Sequence, residues 1–309
     1  MRRIVAGIAL GLCVLCPRPA FAWGEVGHRV VGRIAASQLT QAARARVAKI
    51  LGVANTKAAV ADALSDAAEW PDAVARTKYK KTVDWHFIDL GVKPNASKDN
   101  TLWASSDTAF ARIIKYAGTI KARMPDELEP GSDLEFVAHL VGDIHQPLHD
   151  TTDQDRGGNC LYVNFVLDNE DESPKTKFHA AWDRSIIEDR LGTNDVIIAK
   201  QLLRERKSQI AAAKSAAAAT LTDVAGSVRA WIDEAHALAV TQLYEKLVPA
   251  VPKLETAPVA ADCHDAAPVF KTAVWMIDQT PTDRAFDLIE SQLVKAGARL
   301  AALLNVIAQ

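Results

Sequence analysis

"SDLEFVAHLVGDIHQPLHD", residues 132–150, decides how this chain is read. Its apolar residues recur at helical intervals up to Pro147, whose ring cannot continue a helix. Ser132 and Glu135 stand in capping-box spacing, so the helix is expected to open on that pair. His139 and Asp143 are four residues apart and therefore project from one face. His149 follows just past the proline.

The same spacing recurs in "HAAWD", where His179 and Asp183 are again four apart. His28 follows "WGEVG", and His86 lies in "DWHFIDL". A single His–Asp pair at this spacing is more often a surface hydrogen bond than a pair of ligands. Two such pairs and three further histidines are what a multi-metal site needs. Imidazole and carboxylate suit zinc, and a carboxylate can bridge two ions where an imidazole cannot. Read from the residues alone, both interpretations stay open. Of the eight histidines, His145, His236 and His264 are left to ordinary roles. His145 is expected at most to orient a ligand.

The chain opens like an export signal. Arg2 and Arg3 precede the apolar run "IVAGIALGLCVLC", and Ala20-Phe21-Ala22 reads as a cleavage site. The run is shorter than the roughly 20 residues that span a bilayer. Neither Cys13 nor Cys16 follows the small residues a lipoprotein would need. The expectation is a signal peptide over 1–22 and a mature domain over 23–309, secreted or periplasmic, with no stable membrane association. The mature chain keeps 33 Lys and Arg, 36 less Arg2, Arg3 and Arg18, against 38 Asp and Glu. Bulk charge therefore does not attract nucleic acid; positive charge would have to be local, and bound metal ions are one source. Cys160 and Cys263 remain after the signal, and in an oxidising compartment they are most simply one disulfide.

Most of the chain reads helical. Residues 200–222 are rich in Ala and charge. Val228, Trp231, Ile232, Ala235, Leu238 and Leu243 form one apolar stripe, and a last helix opens at Thr280-Pro281. Only "CLYVNFVL" alternates like a strand, with the polar stretch "DNEDESPKTK" as a turn or loop after it. The fold class expected is mainly α, a single domain with one small β-hairpin. Trp70, Trp85 and Trp182 each lie within two residues of a candidate site residue, as shaped walls around a site would.

Taken together, "WGEVGH", "WPD", "HFID", "HLVGDIHQPLH", "GGN" and "HAAWD" resemble the zinc-dependent single-strand nucleases, the S-one/P-one nucleases or 3′-nucleotidases/nucleases. The motifs stand in that family's order from Trp23 to Asp183. The family fold is mainly α and is shared with zinc-dependent bacterial phospholipase C. The resemblance implies three zinc ions. One is held by Asp72, His86, His139 and Asp143, and a second by His149, His179 and Asp183. The third is held by His28, by Asp143 as bridge, and by Trp23 through its α-amine and carbonyl oxygen. On this reading the signal ends before Trp23 because cleavage creates a ligand.

The implied activity is hydrolysis of single-stranded DNA or RNA to 5′-nucleotides and removal of 3′-phosphate from nucleotides. A metal-activated hydroxide attacks phosphorus in line, and Asp72 orients it. Arg76 either helps hold the phosphate or is simply solvated. Phe87 and Asp89 match the family's base pocket, with plain core as the other reading of Phe87. Asn159 of "GGN" is implied near the phosphate. Some fungal members carry a tyrosine two residues after the final ligand aspartate. Ser185 stands there in this chain, against a second nucleotide site built on that aromatic. Competing readings are a phospholipase C on the same cage and a non-catalytic exported zinc-binding protein. No obligate protein partner is expected.

Overall fold

The computed structural model describes residues 23–165, 175–249, 263 and 274–309. The signal reading of 1–22, His264 and the end of "CLYVNFVL" fall outside the described residues. Helix α1 (Glu25–Ser37) is followed by α2 (Gln41–Ile50) and α3 (Lys57–Ala75). Then come α4 (Ala96–Ala104), α5 (Ala109–Ala122) and α6 (Ser132–Asp143). A short helix α7 (Phe178–Ala180) runs through a π-helical turn, Ala181–Ser185, into α8 (Ile186–Leu191). After α9 (Asp195–Glu205), α10 (Lys207–Thr220) and α11 (Val224–Leu238), the C-terminal helix covers Gln279–Ile307. Starts are set by side-chain caps: Thr56 accepts from the Ala59 N–H at 3.1 Å and Asn194 from the Ile197 N–H at 3.1 Å.

Helix α6 is the axis of the packing. Every residue of it except Glu135 is buried, and α3, α5, α1 and the C-terminal helix pack around it. Leu134, Phe136, Val137, Leu140 and Val141 are fully buried, each at about 1.5–3 kcal/mol relative to exposure. A helix buried on nearly all sides is a core helix, and α6 buries its polar residues along with its apolar ones. The two ligand candidates it carries are therefore held in the driest part of the molecule.

Its start differs from the capping box expected of Ser132 and Glu135. The N-cap is Gly131 at φ 92°, a left-handed conformation that glycine adopts without strain. The Gly131 N–H donates to Asp126 at 2.9 Å, and the Ser132 hydroxyl accepts from the Glu129 N–H at 3.3 Å. Glu135 is left half-buried without a capping bond. Burial, with Glu129 and Asp126 nearby, pushes its carboxyl up to about 7.

Strands are short. β1 (Leu90–Gly91) pairs in parallel with β2 (Thr151–Thr152), and this ladder is extended by Ile88 N–H to His149 O at 2.9 Å. β3 (Tyr162–Phe165) and β4 (Thr176–Lys177) form the antiparallel pair expected of the hairpin. β5 (Val274–Ile277) adds to β3 in parallel. No local pattern announces such a pairing, because a parallel neighbour is reached only by a long crossover. The disulfide Cys160–Cys263 closes a separation of 103 residues at the start of this sheet. No helix among the described residues is long and apolar enough to cross a membrane.

Two outcomes are expected. Between pH 4.5 and about 7 the folded state keeps a proton on Glu135 that the unfolded state loses, so stability from this group falls as pH rises through that window. Glu135→Gln, which cannot ionise, should gain in thermal midpoint over the wild type as pH goes from 5 to 8; a constant difference across that range contradicts it. Second, reducing the disulfide should lower the unfolding free energy by as much as ~4.7 kcal/mol, the chain-entropy value for a loop of about a hundred residues, read from denaturant curves with and without reductant.

Candidate metal centre

The five histidines and three carboxylates singled out in the sequence converge. Three trios have ligand atoms within 4.8 Å of one another: Asp72, His86 and His139; His28, His139 and Asp143; and His149, His179 and Asp183. All are buried. Helix α3 brings Asp72, the 3₁₀ turn Lys80–His86 brings His86, α6 brings His139 and Asp143, and α1 brings His28. Across from them, the 3₁₀ turn Pro147–His149 presents His149, and the α7–π turn presents His179 and Asp183.

Distances define how the trios join. His28 Nε2 lies 3.3 Å from Asp143 Oδ1, and His139 Nε2 lies 3.3 Å from Asp143 Oδ2. The two oxygens of one carboxylate thus face different histidines. Asp72 Oδ1 is 3.5 Å from His139 Nε2 and 3.8 Å from His86 Nε2. His149 Nε2 and His179 Nε2 are 3.1 Å apart, and Asp183 Oδ2 is 3.3 Å from the latter. The rings of His28 and His139 stack at 3.9 Å between centroids.

Four of the imidazoles are oriented the same way. His86 Nδ1 lies 2.9 Å from Thr82 O, His139 Nδ1 2.7 Å from Ala68 O, His149 Nδ1 2.8 Å from His86 O and His179 Nδ1 2.6 Å from Gly157 O. A carbonyl can only accept, so Nδ1 carries the hydrogen and Nε2 keeps a lone pair turned into the site. Pro71, inside α3, has no N–H to give the carbonyl of Ala67; at the next residue, Ala68, the carbonyl serves His139.

Several inward atoms make no hydrogen bond although fully buried: His28 Nε2, His139 Nε2, Asp72 Oδ1, both Asp143 oxygens and Asp183 Oδ2. Buried polar atoms are normally satisfied. Here the unsatisfied ones are the proposed ligand atoms, and their mix of imidazole nitrogen and carboxylate oxygen fits zinc. The electrostatics agree. Burial pushes Asp72 up to about 7 and raises Asp143 and Asp183 well above the carboxylate range. Burial also holds His86 down to about 3 and His179 to about 4, and keeps His28 and His149 well below their ordinary value. Neutral imidazole is the ligand form, and a dication among them restores the carboxylates to their charged form.

Trp23 is fully buried, and its indole N–H donates to Gly142 O at 2.9 Å, one residue from Asp143. Gly142 itself was not legible as a site residue. A Cβ there would sit 2.9 Å from His28 Nδ1, so only glycine lets the ring lie against α6. Gln146 was also missed. Its carboxamide donates to Asp183 Oδ1 at 2.6 Å. Its position between two ligands, before a helix-ending proline, was the available signal.

Of the substrate candidates, Arg76 lies 3.7 Å from Asp72 Oδ2 with its side chain 43% exposed, at the rim of the first trio. Phe87 follows His86 and is half-buried. Asp89, also half-buried, has its carboxyl pushed up to about 6 by burial. The Asn159 amide donates to Arg156 O at 3.0 Å and so closes the "GGN" turn. His145 does not orient a ligand. Its Nδ1 lies 2.7 Å from Val141 O, and Arg299 lies 2.9 Å from its Nε2, so both nitrogens are committed to α6 and the C-terminal helix.

The S1/P1 Nuclease family model matches residues 23–309. Nuclease S1 of Aspergillus oryzae is 30% identical over 193 residues, 60% of this chain and 63% of that protein. Nuclease PA3 of a Penicillium species and Nuclease P1 of Penicillium citrinum are each 25% identical over 298 residues, 92% of this chain and 97% of theirs. The local match thus spans just under two thirds of the Aspergillus protein and nearly all of the Penicillium ones. With a family match that runs from Trp23, through every candidate ligand, to the last residue, the chain belongs to the S1/P1 nuclease family.

Proposed function

We propose that this protein is an exported zinc-dependent hydrolase that cleaves single-stranded DNA or RNA to 5′-nucleotides and removes 3′-phosphate from nucleotides. The observation that carries the reading is the way two trios join: the oxygens of Asp143 face His28 and His139 at 3.3 Å each, and His139 belongs also to the trio of Asp72 and His86. Three zinc ions are assigned. Asp72, His86, His139 and Asp143 hold the first, and His149, His179 and Asp183 the second. His28, Asp143 and the amine and carbonyl of Trp23 hold the third. His139 belongs to the first because its Nε2 faces both Asp72 and Asp143.

Zinc at such a site supplies Lewis acidity towards phosphate oxygens and an activated water as nucleophile. The chain's own residues do the rest. Asp72 binds through Oδ1, which leaves Oδ2, beside Arg76, to orient the attacking water opposite the departing 3′-oxygen. Arg76, half-exposed at the rim, holds a phosphate oxygen. Phe87 stacks on an unpaired base, and Asp89 accepts from its edge. Duplex bases stay out because they are already stacked. The Phe87–Asp89 segment beside His86 favours this reading over a phospholipase C. The second site, with only His149, His179 and Asp183 assigned, would leave a position for substrate, which favours this reading over a non-catalytic zinc protein. Assays on single-stranded DNA, RNA, 3′-AMP and phosphatidylcholine test the choice; turnover of the lipid alone would overturn it.

Asp143→Asn should be worse than Asp183→Asn, because the first removes a carboxylate shared by two ions and the second a ligand of one. Fewer zinc ions per chain and near-background hydrolysis are expected for Asp143→Asn; equal zinc content in the two variants contradicts the assignment. Protein carrying an extra residue ahead of Trp23 should fold and keep the internal ions but lose the third ion and most of its rate. An amide nitrogen is a poor ligand, whereas a terminal amine with reference pKa near ~7.7–8.0 gives up its proton to zinc. Trimming to Trp23 with added zinc should restore both; full activity and three ions in the extended protein would refute the N-terminal ligand.

A further inference from the structure

We infer that Gln146 is the positioning residue of the His149, His179 and Asp183 site, and that it ties three ligands together; this rests on the zinc reading above. Gln146 is fully buried, and its carboxamide is used at both ends. The Leu148 N–H donates to Oε1 at 2.7 Å. An N–H can only donate, so the amide oxygen must face Leu148 and the amide nitrogen must face Asp183. Nε2 then donates to Asp183 Oδ1 at 2.6 Å. That bond occupies one oxygen of Asp183 and turns the other, Oδ2, towards His179 Nε2 at 3.3 Å, where it has no other partner.

The backbone of Gln146 completes the arrangement. Its N–H donates to Asp143 O at 2.8 Å, and its carbonyl accepts from the His149 N–H at 2.9 Å. Asp143 and His149 lie three residues to either side. Pro147 has no N–H, so the turn between them depends on the Gln146 side chain for the Leu148 donor. One residue thereby fixes the end of α6, the 3₁₀ turn that presents His149, and the rotamer of Asp183 from a separate helix. A hydrogen-bonded partner of this kind raises metal affinity by holding the ligand in its bound geometry, typically 10–100-fold.

The test compares Gln146→Glu and Gln146→Met with the wild type at pH 8. Zinc per chain is measured over a range of chelator-buffered free zinc, and the unfolding midpoint is measured in excess EDTA. Glutamate keeps the acceptor for Leu148 but has no donor for Asp183; methionine keeps the volume and has neither. Both variants should lose one ion with 10–100-fold weaker affinity while the other ions bind as in the wild type. In EDTA both variants should unfold at a lower midpoint than the wild type, Gln146→Glu because a second carboxyl is buried beside Asp183 and Gln146→Met because the Leu148 N–H loses its acceptor. If Gln146→Glu binds its full zinc complement with wild-type affinity, the side chain only closes the turn and the inference fails. If Gln146→Met does not fold, Gln146→Glu decides alone. A wild type that binds no zinc overturns both this inference and the proposed function; a wild type that binds zinc but leaves nucleic acid and 3′-AMP intact overturns the function alone.

Discussion

Asp143 closes the central helix with two carboxylate oxygens that are fully buried and accept no hydrogen bond. Burial without a partner disfavours the carboxylate and holds its pKa well above the ordinary range, so the charged form needs a cation beside it. The surrounding structure is organised about it. Helix α6 is buried on nearly every side, so its polar residues at 139 and 143 have only other elements of the core to face. Those elements answer with His28 from α1, Asp72 from α3 and His86 from a 3₁₀ turn. A cation would satisfy the set; hydrogen bonds within the protein leave its inward atoms unpaired.

The scaffold gives up local regularity where it meets this centre. A proline stands inside α3, a second proline opens a 3₁₀ turn, and a π-helical turn carries Asp183. Such departures cluster at functional sites because they re-aim side chains that a regular helix would direct elsewhere. The carbonyls of Ala68, His86 and Gly157 take up the outer nitrogens of His139, His149 and His179. The same backbone that departs from ideal geometry therefore fixes the tautomers of the ligands.

The N-terminal segment is joined to both sides of the centre. Trp23 docks its indole on Gly142 O, and the Gly24 N–H donates to Asp183 O at 2.8 Å. The beginning of the described chain thus touches the end of α6 and the trio of His149, His179 and Asp183 at once. This gives a physical reason for a tight glycine on each side: a Cβ on Gly27 would sit 2.7 Å from Trp23 Cβ, and one on Gly142 would press on His28.

How far the sequence goes depends on the range of each interaction. The i,i+4 pairs His139–Asp143 and His179–Asp183, the helical character and the last helix are short-range facts, and all were legible in the residues. The motif resemblance named every residue that the structure gathers into the three trios. What the sequence misjudged was also local: Ser132 and Glu135 had capping-box spacing, yet the helix is capped at Gly131, whose N–H donates to Asp126, and the Ser132 hydroxyl accepts from Glu129 instead. The parallel partner of β3, the two roles of the Gln146 amide and the need for glycine at 142 came only from tertiary structure. Each depends on a contact with a distant segment: Val274 against Tyr162, Asp183 against Gln146, and His28 against Gly142. A sequence alone fixes which groups can bind a metal; packing decides which oxygen of Asp183 is free to do so, because the other is already held by Gln146.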